Sequence, residues 1–546
     1  MNVQNLGEGE RKRKGIEIVK RFADLGFQAQ PEAIDLLSGY ETECRFGLDE
    51  IVENVSNSLD TATFVISGEQ IAEFIRNGRA VAGEKERSTT KTQAPPLPAA
   101  AAPAIIKSFS DNSRRDVDHK DFLPHFLDRY ERISRVIKQR LNNCGQIRFI
   151  RNGRGNGRNG EEVSVVGMVS SVNKTARGNL RVDLEDPSGQ LMIILQPQEE
   201  IVPDEIIGVT GSLSDRGYLF ANKIIRPDVP YRSSSSQASL ALPFKSNSNS
   251  KSNSKPDSEY RVLGEEEEET GETQKPVYAV FISDMHVGSK TFLEESWDSF
   301  VQWLKREAKR IGIAYLVVAG DIVDGIGVYP GQEEDLSITD VDEQYKVAAG
   351  YFHALPAHIH TVIAPGNHDA VRNAEPQPPL PAHLRQLFPE NTCFVSNPAY
   401  IKIGGRLVLI YHGQSYDDFV GSVSRLNYSQ PEAVMAEMLK RRHIAPTYGN
   451  VVSIIPNGHD YGIIDPVPDI FLCGHVHTVG ISKYRDVLLI NSGTWQSQTP
   501  YQKKRDINPV PGCATLVELC KMETKVMDFG TGSGSERRSG SIAEAG

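Results

Sequence analysis

The sequence has no apolar run long enough to cross a bilayer: stretches such as Ile313–Ala319 fall far short of the roughly 20 residues a spanning helix needs. Its opening residues, Met1–Arg13, are polar and charged and lack the apolar core of a secretory signal. The six cysteines (Cys44, Cys144, Cys393, Cys473, Cys513, Cys520) include no Cys-x-x-Cys pair, so neither a disulfide framework nor a thiolate zinc site is indicated. Positive charge is not in surplus either. Lys and Arg number 60 against 71 Asp and Glu in 546 residues, a formal net charge of -11. That balance argues against a general DNA-coating protein and leaves room for nucleic acid at a local site. The expected setting is cytoplasmic, with no membrane partner.

The length suggests three or four domains. Hydrophobic residues make up 39%, a modest share that fits ordinary cores diluted by polar linkers. Residues 82–121 carry the Pro/Ala-rich stretch Ala94–Ala104, and residues 233–275 carry a Ser/Asn/Lys tract and the glutamates Glu265–Glu269. Both lack the apolar content to offset chain entropy and are expected to be flexible linkers. A Gly/Ser-rich tail, residues 530–546, is expected to be disordered.

Residues 1–81 have helical texture: Ile16, Val19 and Ala23 share a face ahead of Gly26, and Ser67 and Gln70 have capping-box spacing. A small helical docking module without chemistry is expected there. Residues 122–232 open with a helix near Pro124–Leu141. Five β-like runs follow at Val163–Val172, Leu180–Leu184, Leu191–Leu195, Ile206–Leu213 and Tyr218–Ile225. Five short strands over this length suggest an OB-type barrel, a common single-strand platform. Arg148, Arg151, Arg154 and Arg158, interleaved with Phe149, are either DNA phosphate contacts or a solvated basic loop.

Residues 276–529 have α/β texture, and eleven of the 13 histidines lie there. Each apolar strand runs into a polar cluster: Asp284 and His286, then Asp321 and Asp324, then Asn367-His368-Asp369, then His412, then His475 and His477. Open α/β sheets carry function at the carboxyl ends of their strands. One such cluster is a weak signal; five in order are a strong one. His353, His358, His360, His383, His443 and His459 occupy no motif position and are read as structural.

The ordered set resembles the calcineurin-like metallophosphoesterase superfamily. The resemblance implies a four-layer α/β sandwich with a dinuclear site. By motif matching, Asp284, His286, Asp321 and His477 would hold one metal, and Asp321, Asn367, His412 and His475 the other. His368 would face substrate as the catalytic group, while Asp324 and Asp369 would orient ligands. Carboxylate, imidazole and amide donors suit two divalent ions such as Mn²⁺, with Mg²⁺ an alternative.

Longer runs narrow the resemblance: GDIVDGIGVYP from Gly320, PGNHDAVRNAEPQP from Pro365, YHGQSYD from Tyr411 and LINSGTWQSQT from Leu489. A barrel followed by this domain resembles the small subunits of archaeal family D DNA polymerases and the related eukaryotic B-subunits, which have lost their ligands. The resemblance implies a metal-dependent 3′-to-5′ exonuclease acting on single-stranded or mismatched ends, beside a large subunit that performs synthesis. Arg372, Gln377, Ser415 and Tyr416 are candidate substrate contacts. The alternatives are a scaffold subunit without catalysis and a stand-alone phosphodiesterase.

Overall fold

A computed structural model of the chain describes residues 28–29, 65–66, 101–110, 117–141, 144–151, 162–231, 276–504, 507–530 and 535–537. The chain divides into two compact units, Met1–Leu97 and Pro98–Gly546. In the first, β1 (Gln28–Ala29) and β2 (Val65–Ile66) pair in parallel. The helices expected within residues 1–81 lie outside the described residues, as does the linker of residues 233–275.

The second unit starts with β3 (Ala104–Ser108), a strand inside the segment read as a linker. Next, α1 (Phe122–Lys138) buries His125, Arg129, Ile133 and Ile137, four residues apart and therefore on one face. Ile133 and Ile137 pack with Val166, Ile206 and Ile463, which seats the helix between the barrel and the α/β part.

After β4 (Cys144–Gly145) and α2 (Ile147–Arg151) comes a closed barrel of β5 (Glu162–Lys174), β6 (Leu180–Asp186), β7 (Gly189–Leu195), β8 (Ile206–Leu213) and β9 (Leu219–Ile225). The strands run β5-β6-β7-β9-β8, and β8 closes the ring on β5. Only β7 and β9 pair in parallel. Period-two burial of Leu180, Val182 and Leu184 on β6, and of Leu191, Ile193 and Leu195 on β7, fills the interior. Every sequence-predicted strand here lies within two residues of an observed one.

The α/β part holds two sheets. The first has seven strands and is built on β10 (Tyr278–Ile282), α3 (Glu294–Ile311), β11 (Ile313–Ala319), α4 (Val341–His353), β12 (His360–Ala364) and β13 (Thr392–Phe394), whose strands are parallel. Gly312 ends α3 at φ 96°, a left-handed position that glycine takes without steric cost, and its N–H bonds Ala308 O. The second sheet has six strands. It contains β14 (Ala399–Ile403) and β15 (Arg406–Ile410), then, beyond α5 (Tyr416–Ser422) and α6 (Pro431–Arg441), β16 (Ile470–Cys473), β17 (Gly480–Tyr484) and β18 (Val487–Asn491). Finally β19 (Cys513–Glu518), β20 (Glu523–Asp528) and β21 (Ser535–Arg537) return to the first sheet, antiparallel.

Alternation along the strands divides the core. Ala279, Phe281, Val317 and Ala319 of the first sheet meet Ile401, Ile410, Leu472 and Ile490 of the second. Their neighbours Val280, Ile282 and Val318 pack with Trp297, Phe300 and Phe352 of α3 and α4. Leu409, Phe471 and Leu489 pack with Phe419, Met435 and Leu439 of α5 and α6. Both sheets are thus buried on both faces, as their unbroken apolar strands require.

Two segments differ from expectation. Within 82–121, β3 forms the edge of the second sheet, antiparallel to β14, and Phe109 behind it is buried. Within 530–546, β21 pairs with β20. In both cases ladder bonds, to a distant strand for β3 and to the adjacent one for β21, order residues whose composition alone would leave them loose. Among the described residues, no helix is long and apolar enough to cross a membrane.

Candidate metal centre

Asp284 follows β10, Asp321 follows β11, Asn367 and His368 follow β12, His412 follows β15, and His475 and His477 follow β16. Loops from the two sheets therefore converge. Five of the seven expected ligands, Asp284 (φ 55°), His286 (54°), Asp321 (52°), His475 (70°) and His477 (57°), hold left-handed backbone. Each such non-glycine residue costs roughly 1 kcal/mol or more, a strain that clusters at functional sites. Glycine makes room for them. A Cβ on Gly474 would stand 2.5 Å from Asp284 Oδ2, and one on Gly366 would collide with Asp321 Oδ1.

The side chains meet in two groups joined by Asp321. In the first, His286 Nε2 and His477 Nε2 are 3.0 Å apart, and Asp284 Oδ1 lies 3.4 Å from His477 Nε2 and 3.9 Å from His286 Nε2. In the second, Asp321 Oδ2 lies 3.2 Å from His412 Nε2, with His475 completing the set and Asn367 Oδ1 3.0 Å from the same His412 nitrogen. Asp321 Oδ2 is also 3.7 Å from His286 Nε2. Asp284, His286, Asp321 and His412 are buried to within 2% of full enclosure.

The far sides of the rings are anchored. His286 Nδ1 bonds Asp324 Oδ1 at 2.9 Å, and His412 Nδ1 donates to Ala319 O at 2.8 Å, which leaves each Nε2 for the centre. His477 Nδ1 meets the Gln502 amide at 2.7 Å. His368 Nδ1 donates to Asp324 O at 2.7 Å, and its ring stands edge-on to His286 at 4.7 Å. The main-chain N–H of His368 donates to Asp321 Oδ1 at 2.9 Å. Asp369 accepts from the N–H groups of Ile322 and Gly366 and from the Tyr345 hydroxyl, locking the loops after β11 and β12 together.

Protonation follows this crowding. Burial would raise the carboxyls of Asp284 and Asp321, yet the surrounding imidazoles hold both well below the carboxylate range. Burial would lower His412, but the Asp321 carboxylate lifts it to about 9. His286 is raised in the same way, against burial, by Asp284 and Asp324. His475 falls to about 4 through burial and the neighbouring His412. Protons on His286 and His412 thus supply positive charge among buried carboxylates. Divalent cations fit this donor set of carboxylates, imidazoles and one amide, with no thiolate among the converging side chains.

Other expected contacts are spent on structure. Arg372 donates to Pro376 O and lies 4.9 Å over the Phe109 ring. Buried Gln377 bonds Gly366 O and Arg372 O and accepts from Asn397. Ser415 donates to Ile444 O, and the Tyr416 hydroxyl to Asn491; both residues are fully buried. Arg148 is exposed on α2 beside exposed Phe149, while the side chain of Arg151 and the whole of Arg154 and Arg158 lie outside the described residues. Sequence reasoning missed Gln332, Gln496 and Gln502 around Asp324 and His477. Gln496 lies within the run from Leu489 that carried the resemblance, which was the available signal.

A family model for the B-subunit of DNA polymerases alpha and epsilon matches residues 279–479. The chain is 39% identical over 516 residues to a DNA polymerase II small subunit of Archaeoglobus fulgidus, covering 91% of this chain and 94% of that one. It is 35% identical over 525 residues to the DNA polymerase II small subunit of Thermoplasma acidophilum, covering 94% and 93%. A solved structure of an archaeal phosphodiesterase aligns at 12% identity with a TM-score of 0.25, over 46% of this chain and 99% of that one.

Proposed function

The chain belongs to the family of DNA polymerase II small subunits, and from that premise we propose that it is the nuclease subunit of a two-subunit polymerase. In this reading the two sheets and their helices form a four-layer metallophosphoesterase sandwich, the barrel is of the OB type, and a large partner subunit carries synthesis. Asp284, His286, Asp321 and His477 hold one divalent ion, and Asp321, Asn367, His412 and His475 hold a second, Mn²⁺ by preference. The carrying observation is the pair of anchored imidazoles, His286 and His477, with Nε2 atoms 3.0 Å apart beside buried Asp284. Such a cluster of lone pairs and carboxylates is costly without a cation or protons in it.

Bound divalent ions supply Lewis-acid charge and a lowered pKa for the attacking water. The chain's residues do the rest. Asp321 joins the two halves of the centre, and Asp324 and Ala319 O fix the ligand tautomers. In its imidazolium form His368, whose Nδ1 donates to Asp324 O, gives its Nε2 proton to the leaving 3′ oxygen as the terminal nucleotide departs.

The assembled two-subunit enzyme, with Mn²⁺ and a 3′-labelled mismatched primer, tests this. Mononucleotide release is expected, falling about 10²–10⁴-fold in His368→Ala with ion binding retained. No release with or without the partner would favour the scaffold reading. Hydrolysis of cyclic nucleotides instead of DNA would favour the stand-alone phosphodiesterase.

A further inference from the structure

Gln332 opens a short 3-10 turn, Gln332–Asp335, in the loop that leaves Asp321 and Asp324, and is 1% exposed. Its side-chain nitrogen donates to Asp324 O at 2.8 Å and to Asp324 Oδ2 at 3.1 Å, while its oxygen accepts from Val328 N at 2.9 Å. The reverse amide orientation would set oxygen against both Asp324 acceptors and NH₂ against the Val328 N–H, so the neighbours fix it. Both amide hydrogens therefore go to one residue. Asp324 in turn carries two histidines: its carbonyl accepts from His368 Nδ1 at 2.7 Å, and its Oδ1 bonds His286 Nδ1 at 2.9 Å. Gln496 Nε2 donates to the same Oδ1 at 3.2 Å.

Resting on the nuclease reading above, we propose that Gln332 is a positioning residue whose amide clamps the carbonyl and carboxylate of Asp324, and so fixes the substrate-facing ring of His368 against the ligand ring of His286. The amide touches neither substrate nor ion. Its effect lies in the angle at which His368 meets the leaving oxygen, and a displacement near 1 Å in such a group costs roughly 10²-fold in turnover.

The test uses Gln332→Glu, which keeps the shape and replaces the two-donor amide with a carboxyl, and Gln332→Met, which removes both donors without adding charge. In the assembled enzyme both variants are expected to lower kcat about 10–100-fold, with KM for mismatched DNA within about twofold of wild type. Added to His368→Ala, either variant is expected to cost less than about twofold more, because it acts through that ring. A second readout needs no activity: ¹⁵N-histidine spectra of the metal-free full chain, assigned with His286→Ala and His368→Ala. The His286 and His368 ring nitrogens should shift in both variants while those of His475 stay in place. Unchanged spectra, or a full extra penalty on the His368→Ala background, would overturn the proposal. Absence of DNA hydrolysis in the wild-type enzyme would sink the nuclease reading, and the spectra would then decide the clamp alone.

Discussion

The main-chain N–H of His475 donates to both carboxylate oxygens of Asp284, at 3.1 and 3.0 Å, tying the loop after β16 to the loop after β10 across the two sheets. The approach depends on Gly474, where a Cβ would lie 2.5 Å from Asp284 Oδ2 and 2.6 Å from Ser283 Cβ.

Gly474→Ala should therefore push the loops apart. Overpacking of this kind costs about 1–3 kcal/mol. Thermal unfolding should show a lower Tm, and calorimetric titration should show weaker Mn²⁺ binding. Wild-type values in both experiments would mean that the two loops have slack and that the Asp284–His475 tie does not shape the centre.

Ion binding should expel protons. His412 is held at about 9 by Asp321 against the opposing effect of burial, so in the metal-free chain it carries a proton at pH 7. A ligand must shed that proton, so affinity should climb as pH rises toward about 9. Titrations at pH 7 in buffers of different ionisation enthalpy should report net proton release. Asp321→Asn should reduce that release and weaken ion binding together. Binding that is independent of buffer and pH would remove His412 from the ligand set.

The reason the centre was legible and its support was not is physical. Asp284, Asp321, His412 and His475 stand directly after apolar strands, so local patterning locates them. Gln332 and Gln502 have no such signature, since a buried glutamine is defined by partners that only folding supplies. The same holds for β3. Ala104–Ser108 falls inside the segment that composition marks as a linker, and its partner β14 lies nearly 300 residues further on. Charge beside a motif is all that marks Arg372 as a candidate substrate contact in the sequence, whereas its guanidinium braces Pro376 O and Phe109.

Glu375 gives stability a pH dependence of its own. It is buried, its Oε1 has no hydrogen-bond partner, and burial lifts its carboxyl to about 8. Between the ordinary value near 4.5 and about 8, the folded chain keeps a proton that the unfolded chain has released. Stability must then fall as pH rises through that window and level off above it. Glu375→Gln removes the titration. Denaturant unfolding from pH 5 to 8.5 should show the variant gaining on wild type by at least about 1 kcal/mol toward the upper end. Parallel curves would show that Glu375 ionises freely in the folded chain.

Beyond its ladder with β14, the end of the edge strand β3 is tied down by one hydroxyl. Ser396 Oγ accepts from Phe109 N at 2.8 Å and donates to Pro398 O at 2.6 Å, while Ser396 N donates to Ser108 Oγ at 2.9 Å. The next residue, Asn397, accepts from His412 N at 2.8 Å, so the strap and the centre share a corner but use separate bonds. Ser396→Ala leaves the buried Phe109 N–H without its acceptor, a loss of about 1–3 kcal/mol. Hydrogen exchange followed by mass spectrometry should show faster exchange across residues 104–109 in the variant, with Mn²⁺ affinity preserved because Asn397 is intact. Unchanged exchange would show that the β3–β14 ladder holds the strap without Ser396. A parallel fall in ion affinity would show that strap and centre act as one unit, coupled through Asn397.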